Sequence, residues 1–240
     1  MNLCIDIGNT LVKIAVFDGD NLIRQESYKD FDIADVEKIK MNFGVRRVII
    51  SSVKEDNPWF YTEMGKLFEK STILTSVTKI PITNEYKTPE TLGKDRLAVV
   101  VGANYLYPQR NLLVIDAGSA ITFDFIDDKA AYKGGNIAPG LSMRFRALNE
   151  FTRRLPLLGP QNVFPLLGGN TSEAIISGVQ NSIIFEVDAY ITELGKLYPE
   201  VITLITGGDA KFFDNKVKNT IFVIPNLVLI GLNRILNFNA

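Results

Sequence analysis

The chain has 240 residues, 46% of them hydrophobic and 22% charged, and its formal net charge is −1. This composition is that of a folded globular protein, and the near-zero charge provides no general attraction to nucleic acid or to an anionic membrane. The absence of histidine and the single cysteine exclude imidazole catalysis, histidine-bound zinc and an internal disulfide, so carboxylates, hydroxyls, Lys, Arg and oxygen-bound metal ions remain for chemistry.

The first half of the chain predicts three short strands and then helices that alternate with strands. Apolar residues at Leu97, Val100 and Val101, for example, follow the period of a helix. The predicted elements are strands at 2–7, 11–17 and 21–28, a helix at 33–42, a strand at 45–52, a helix at 57–70, a strand at 72–74 and a helix at 94–107.

The second half repeats this order. It predicts strands at 112–116, 120–126 and 130–133, a Gly-rich loop at 134–140, helices at 141–151 and 171–195, strands at 201–206 and 221–224, and a helix at 227–236. The doubled pattern predicts an α/β protein of two similar halves, each with a mixed sheet flanked by helices. We therefore expect domains at 1–110 and 111–240 with a cleft between them, where small-molecule sites tend to lie.

One sequence pattern occurs twice, at residues 3–10 and 112–119. Each copy is an apolar run that ends in an Asp-X-Gly turn, and a second apolar run follows it. Asp6 and Asp116 hold equivalent places in the two copies, and the second copy begins near the midpoint of the chain. A duplicated hairpin with one carboxylate on each turn predicts a site for a metal ion and phosphates.

The first hairpin contains the groups that a phosphate loop needs. Gly8 permits a tight turn that brings backbone amides close to a ligand, and Asn9, Thr10 and Lys13 offer hydrogen bonds and charge to phosphate oxygens. Asp6 suits Mg²⁺ or its water shell, because Mg²⁺ prefers hard oxygen ligands. Alone, the pattern also fits a plain hairpin whose aspartate caps the turn, and the repeat at Asp116 makes this alternative weaker.

Two common nucleotide sites are missing. The sequence has no P-loop pattern Gly-X4-Gly-Lys-Ser/Thr and no Gly-X-Gly-X-X-Gly after a strand. A phosphate hairpin followed late in the chain by a strand and Gly-Gly, here at 205–210, resembles instead the actin and sugar-kinase ATPase fold, in which that loop contacts adenosine. By itself Gly207-Gly208 also fits an ordinary turn.

The segment 86–96 predicts a substrate site. Gly93 stands where a helix begins, and the first-turn amides there favour an anion. Arg96 can bind a substrate carboxylate and Asp95 can accept a hydroxyl proton. The alternative is a solvent-exposed, charged helix N-terminus.

Together these segments resemble the type III pantothenate kinases. That family has Asp-X-Gly-Asn-Thr near residue 6, Tyr…Gly-X-Asp-Arg, Asp-X-Gly-Thr-Ala-X-Thr, Gly-Gly-X-Ile-X-Pro-Gly and Asn-Thr…Ser-Gly, and this chain has the set in the same order over essentially its whole length. Ser119 stands where the family more often has Thr, and we expect altered packing more than lost binding there.

The resemblance implies a role for each matching residue. Asp95 would be the catalytic proton acceptor, Asp116 would bind a monovalent cation (K⁺ or NH₄⁺), and Thr171, which could otherwise simply cap a helix, would contact pantothenate. The residues implied to bind ATP are Asp6 (also near Mg²⁺, through water), Ile7, Gly8, Asn9, Thr10, Leu11, Val12, Lys13 and Ser119. Those implied to surround pantothenate are Tyr86, Gly93, Lys94, Asp95, Arg96 and Thr171.

The resemblance further implies a homodimeric kinase that converts pantothenate to 4′-phosphopantothenate with ATP, the first step of coenzyme A synthesis. We expect it in the cytoplasm, because Asp6 interrupts the N-terminal apolar stretch and no long apolar run follows. The basic, partly apolar stretch 144–154 favours an interface helix over a nucleic-acid patch. The alternatives are another small-molecule kinase of this fold and a non-catalytic, transcription-accessory relative.

Overall fold

A computed structural model describes residues 1–54 and 57–240. The chain forms two compact units. Unit 1 contains Met1–Gln109, Ile126–Gly134 and Asn226–Ala240, and unit 2 contains Arg110–Phe125 and Gly135–Pro225. The domain boundary that the sequence predicts after residue 110 stays a prediction. In the structure, the last 15 residues belong to unit 1.

A five-stranded sheet forms the centre of unit 1, with strand order β3-β2-β1-β4-β5. Strands β1, β2 and β3 pair antiparallel, and β1, β4 and β5 pair in parallel. The elements of this part are β1 (Asn2–Ile7), β2 (Val12–Asp18), β3 (Asn21–Tyr28), α1 (Ile33–Phe43), β4 (Arg47–Ser52), α2 (Pro58–Leu67), β5 (Lys70–Ile73), β6 (Thr83–Asn84), a short 3₁₀ turn (Pro89–Thr91) and α3 (Lys94–Leu106).

Local sequence sets the ends of the helices that cover one face of this sheet. Asp32 and Asp35 form a reciprocal capping box at the start of α1, and Gly44 ends that helix at a φ of 60°. Asn57 caps α2, with Pro58 in its first turn. Both helices bury apolar residues against every second residue of β1, β2 and β4, which places the alternate residues, Asp6 among them, on the other face.

The C-terminal helix α7 (Leu227–Phe238) lies against α3 at two glycines. A Cβ on Gly231 would lie 1.8 Å from the carbonyl oxygen of Ala98, and one on Gly102 would lie 2.4 Å from that of Leu227. The two backbones can approach this closely because both positions lack a side chain. Asn2 then ties β1 to α7 through its amide, which donates to Asn233 Oδ1 at 2.7 Å.

Unit 2 contains most of a second, six-stranded sheet, in which the order is β11-β10-β7-β8-β9-β6. Its elements are β7 (Leu112–Ala117), β8 (Ala120–Ile126), β9 (Ala131–Pro139), α4 (Leu141–Glu150), α5 (Thr171–Leu197), β10 (Ile202–Thr206), the one-turn α6 (Ala210–Phe213) and β11 (Phe222–Val223). The first residues of β9 belong to unit 1, where Thr83 and Asn84 of β6 pair in parallel with Ala131 and Tyr132.

The predicted α/β class with mixed sheets flanked by helices is confirmed. One prediction is wrong: residues 134–139, expected to form a Gly-rich loop, continue strand β9 to Pro139. Glycine lowers strand propensity but does not prevent backbone pairing, so the neighbouring strand determines the conformation there. Among the described residues, no helix has the length and apolarity needed to cross a bilayer.

Candidate active site

The first Asp-X-Gly hairpin joins β1 to β2. Asp6 is 8% exposed and lies in register with Lys13 on β2 and Ser51 on β4. Residues in register on neighbouring strands point to the same face, so these three form one polar row at the carboxyl end of β1 and β4.

The turn of this hairpin is open. The backbone amide of Gly8 donates to the carbonyl oxygen of Leu11 at 3.0 Å, and the two residues between them, Asn9 and Thr10, are exposed. Ile7 and Leu11 are half-buried and Val12 is buried, so these three flank the turn and the polar side chains stand at its tip. An exposed turn with amide, hydroxyl and backbone N–H groups fits phosphate oxygens.

The surroundings of Asp6 suit Mg²⁺ better than they suit a metal ion that needs several protein ligands. Within residues 1–54 and 57–240, no group of three or more acidic or cysteine side chains could enclose a metal ion. Mg²⁺ usually retains waters and uses one or two carboxylates together with substrate phosphates. Asp6 supplies one buried carboxylate, and the neighbouring turn is suited to bind the substrate phosphates that would complete such a site.

The start of α3 places Asp95 and Arg96. The backbone N–H of Arg96 donates to Asp95 Oδ1 at 2.8 Å, which orients a half-buried carboxylate. A Cβ on Gly93 would lie 2.6 Å from the same Oδ1, so the glycine leaves the room that this carboxylate occupies. Lys94, the first residue of the helix, is half-buried.

Arg96 and Tyr86 belong to one aromatic cluster. The guanidinium carbon of Arg96 lies 5.6 Å from the centroid of the Tyr86 ring, and its Nη2 donates to the hydroxyl of Tyr132 at 3.0 Å. No motif in the sequence marks Tyr132, which is fully buried on β9. The residues around Tyr132 in the sequence do not indicate this contact, because it depends on the pairing of strands that are distant in the chain.

The second Asp-X-Gly hairpin joins β7 to β8 and is shorter. Gly118 donates its backbone N–H to the carbonyl oxygen of Ala120 at 3.0 Å, two residues on instead of three. Asp116 is half-buried at the end of β7, and Ser119 is exposed in the turn.

Two glycines from other segments of unit 2 close around this second hairpin. A Cβ on Gly207, whose φ is +97°, would lie 2.4 Å from Asp116 Oδ1 and 2.3 Å from the carbonyl oxygen of Ala117. A Cβ on Gly140 would lie 2.2 Å from the carbonyl oxygen of Gly118. The glycine backbones therefore pack directly against Asp116 and the carbonyl groups of this hairpin. Carboxylate and carbonyl oxygens are the types of ligand that a monovalent cation uses, and Asp116 is the candidate among them.

The Gly-Gly loop after β10 is tied to the same hairpin. The backbone N–H of Asp209 donates to the carbonyl oxygen of Ala117 at 2.9 Å. Burial raises the pKa of the Asp209 carboxyl. The predicted contact of this loop with adenosine stays a prediction.

Thr171 is the first residue of α5 and is exposed. The residue that caps this helix is Asn170, whose side chain accepts a hydrogen bond from the backbone N–H of Glu173 at 3.0 Å. The alternative role of Thr171 as the helix cap is therefore wrong, because Thr171 is already the first helical residue and Asn170 precedes it as the cap. Its hydroxyl is left for other contacts.

The basic stretch 144–154 is helical only to Glu150, where α4 ends. Arg144 forms an ion pair with Glu186 of α5, and Arg146 pairs with Glu150 at 2.8 Å one turn along. Carboxylates thus oppose two of the four arginines of this stretch, while Leu141 and Phe145 of α4 are buried.

Solved structures share this fold. A protein from Campylobacter jejuni described as a conserved Baf family transcriptional activator matches with a TM-score of 0.66 at 21% identity, over 99% of this chain and 98% of its own. A glucokinase from an Antarctic psychrotroph matches with a TM-score of 0.56 at 12% identity, over 100% and 99%. The chain accordingly has the actin-like and sugar-kinase ATPase fold.

Sequence comparison defines the family within that fold. Residues 2–193 match the family model described as type III pantothenate kinase. The type III pantothenate kinases of Phocaeicola vulgatus and Bacteroides fragilis strain YCH46 are 45% and 44% identical over 239 residues, which cover 100% of this chain and 99% and 98% of theirs. The chain belongs to the type III pantothenate kinase family, whose members are transferases that phosphorylate pantothenate in coenzyme A biosynthesis.

Proposed function

We propose that this chain transfers the γ-phosphoryl group of ATP to the primary hydroxyl of pantothenate, with Asp95 as the proton acceptor. The observation that supports it is the start of α3, where a carboxylate, Asp95, and an arginine, Arg96, follow Gly93 at a helix N-terminus. A hydroxyl-bearing carboxylic acid needs both groups, a base for one end and a cation for the other.

The geometry of Asp95 supports its role as proton acceptor. Its Oδ1 accepts the backbone N–H of Arg96, so the carboxylate is held while Oδ2 takes the hydroxyl proton. The hydroxyl oxygen attacks the γ-phosphorus, a new P–O bond forms, and the bond to the β–γ bridging oxygen breaks to release ADP. Positioning and charge neutralisation supply most of the catalysis in such reactions.

The residues of the first hairpin, Asp6 to Lys13, would bind the phosphates of ATP through exposed turn groups and the ammonium of Lys13. Asp6 would hold Mg²⁺, directly or through water, and when bound the ion neutralises charge on the phosphates. In the second hairpin Ser119 would contact ATP. Asp116 would hold K⁺ or NH₄⁺, which supplies a further fixed positive charge when bound.

Pantothenate would be held by Arg96 through its carboxylate, with Tyr86, Gly93 and Lys94 around it and Thr171 as a further contact. Arg96 is 4% exposed, and a buried arginine favours an anionic partner. A sugar kinase of the same fold is the alternative, but a neutral sugar has no carboxylate for Arg96 to bind. The intact carboxylates at Asp6, Asp95 and Asp116 favour a small-molecule kinase over a transcription-accessory role.

The test of the base is Asp95→Asn, assayed as ADP release with and without pantothenate. We expect kcat to fall by about 10²- to 10⁴-fold while thermal unfolding is unchanged, since general-base catalysis contributes about that much. Glu90→Gln is the matched control, because it removes an exposed charge in the turn before α3. Full activity of Asp95→Asn, or ADP release that does not depend on pantothenate, contradicts the proposal.

We also propose that the chain acts as a homodimer in the cytoplasm. The segment after α4 in unit 2 exposes large apolar side chains, Phe151 (87%), Val163 (89%) and Leu167 (85%) among them, and apolar surface of this kind is typical of a protein interface. The single cysteine fits a reducing compartment. Sedimentation at the monomer mass of 26.7 kDa would contradict the dimer, and fractionation of cells would test the location.

A further inference from the structure

Arg96 is immobilised by two tyrosines of unit 1. Its guanidinium lies over the ring of Tyr86 at 5.6 Å, and its Nη2 donates to the Tyr132 hydroxyl at 3.0 Å. The first contact is a cation–π interaction and the second is a hydrogen bond from a charged donor, which is stronger than one between neutral groups.

Tyr132 is itself held in place from two directions. Its backbone carbonyl accepts a hydrogen bond from the N–H of Glu85 at 3.0 Å, and Asn84 pairs with it across β6 and β9. Its ring stacks on Tyr86, with centroids 6.1 Å apart and planes 20° apart, and the residue has no exposed surface. A tyrosine fixed in this way presents its hydroxyl at one point.

The fixed hydroxyl matters because arginine is a flexible side chain. Holding it in one rotamer costs up to about 2 kcal/mol of side-chain entropy, which a substrate would otherwise have to supply on binding. A guanidinium also has five N–H donors in a planar fork, and the bond to Tyr132 uses one of them and sets the plane of the others. Preorganisation of this kind lowers the cost of binding a planar carboxylate.

We propose that Tyr132 is a positioning residue for pantothenate: its hydroxyl fixes the plane of the Arg96 guanidinium for the substrate carboxylate. Tyr132 acts through Arg96 and need not touch the substrate. The inference rests on the proposed role of Arg96 as the carboxylate clamp. It predicts that loss of this one oxygen weakens binding of the acid end of the substrate and leaves the transfer step intact.

The test is Tyr132→Phe, which retains the ring and its stacking on Tyr86. We expect KM for pantothenate to rise about tenfold, the effect of one lost hydrogen bond to a charged group, with kcat within about twofold of the parent. Tyr190→Phe is the matched control, because Tyr190 also stacks on an aromatic ring, that of Phe123, and loses the same atom. Its KM should not change.

A double-mutant cycle separates positioning from a general structural effect. In an Arg96→Met background, Tyr132→Phe should change kcat/KM by less than about twofold, because the group that it orients is gone. A tenfold loss in both backgrounds, or a fall of kcat in place of a rise of KM, overturns the inference.

The outcome for Arg96→Met alone distinguishes the inference from the proposal beneath it. If this variant binds pantothenate as the parent does, the clamp role of Arg96 is wrong. If it weakens binding while Tyr132→Phe does not, the clamp is retained and Tyr132 has no part in it. Thermal unfolding of every variant serves as the control that each one is folded at the assay temperature.

Discussion

The two Asp-X-Gly hairpins share a sequence pattern and differ in what surrounds them. In unit 1 the turn spans Gly8 to Leu11 and exposes Asn9 and Thr10 at its tip. In unit 2 the turn is one residue shorter, and Gly140 and Gly207 bring bare backbone onto it.

The two copies of one local structure thus have different surroundings, and we propose that these surroundings adapt the hairpins to different ligands. An open turn with side-chain and backbone donors is suited to phosphate oxygens. The Asp116 carboxylate, on a hairpin that glycine backbones enclose, offers oxygen ligands of the kind that a cation binds. The aspartate is common to both, so the surroundings determine the difference that we propose between Mg²⁺ with phosphates at Asp6 and a monovalent cation at Asp116.

The largest expected effect is that of Gly207→Ala in unit 2. The new Cβ would lie within 2.4 Å of Asp116 Oδ1 and of the Ala117 carbonyl oxygen, at a φ of +97°. We expect the free energy of unfolding to fall by about 3 kcal/mol, through backbone strain and the forced displacement of the hairpin. Chemical denaturation measures it.

Gly208→Ala is the control for that prediction, since a Cβ there meets nothing within 4 Å. Gly8→Ala gives the comparison with the first hairpin. Its Cβ would lie 3.0 Å from the Leu11 carbonyl oxygen without a positive φ, and the loss should be below about 1 kcal/mol. Equal losses at Gly8 and Gly207 would mean that the second hairpin is not the more enclosed one.

A smaller effect is expected from exchanging each hairpin carboxylate for an amide. Asp6→Asn should raise the half-saturating Mg²⁺ concentration about tenfold and leave the K⁺ requirement within about twofold, because a neutral amide holds an ion less well. Asp116→Asn should do the reverse. Titration of each ion at saturating substrates measures both.

The two variants serve as controls for each other. If Asp6→Asn and Asp116→Asn shift the same ion, the hairpins have one function and the proposed division of roles is wrong. Unchanged requirements in both variants would remove the two carboxylates from ion binding altogether.

The smallest expected effect concerns the loop that closes the second hairpin. Burial raises the pKa of Asp209, so the folded state holds the proton more tightly than the unfolded state and stability falls as the pH rises through the folded pKa. Asp209→Asn should therefore have a slightly higher Tm than the parent at pH 7. The difference should disappear as the pH falls below the ordinary carboxyl value of 3.8.

Asp214→Asn, at an exposed aspartate of the same region, is the control. A gain for Asp209→Asn that is as large at pH 3 as at pH 7 would assign the effect to the amide and not to the charge.

The sequence alone determined the α/β class, nearly all of the helices and strands, and the two hairpins with Asp6 and Asp116. These follow from local rules: apolar periodicity, caps such as Asp32 and turn glycines are read within a few residues of one another. The first strand, predicted at 2–7, runs from Asn2 to Ile7, and the helix predicted at 94–107 runs from Lys94 to Leu106.

Only the tertiary structure decided which distant residues meet. It brought Tyr132 to Arg96, Gly207 to Asp116 and Gly231 to the backbone of Ala98, and it continued β9 through residues expected to form a loop. In sequence these glycines resemble ordinary turn or helix-weakening residues, and Tyr132 resembles any strand tyrosine. Their roles depend on strand pairing and helix packing over long separations along the chain, which no local pattern encodes.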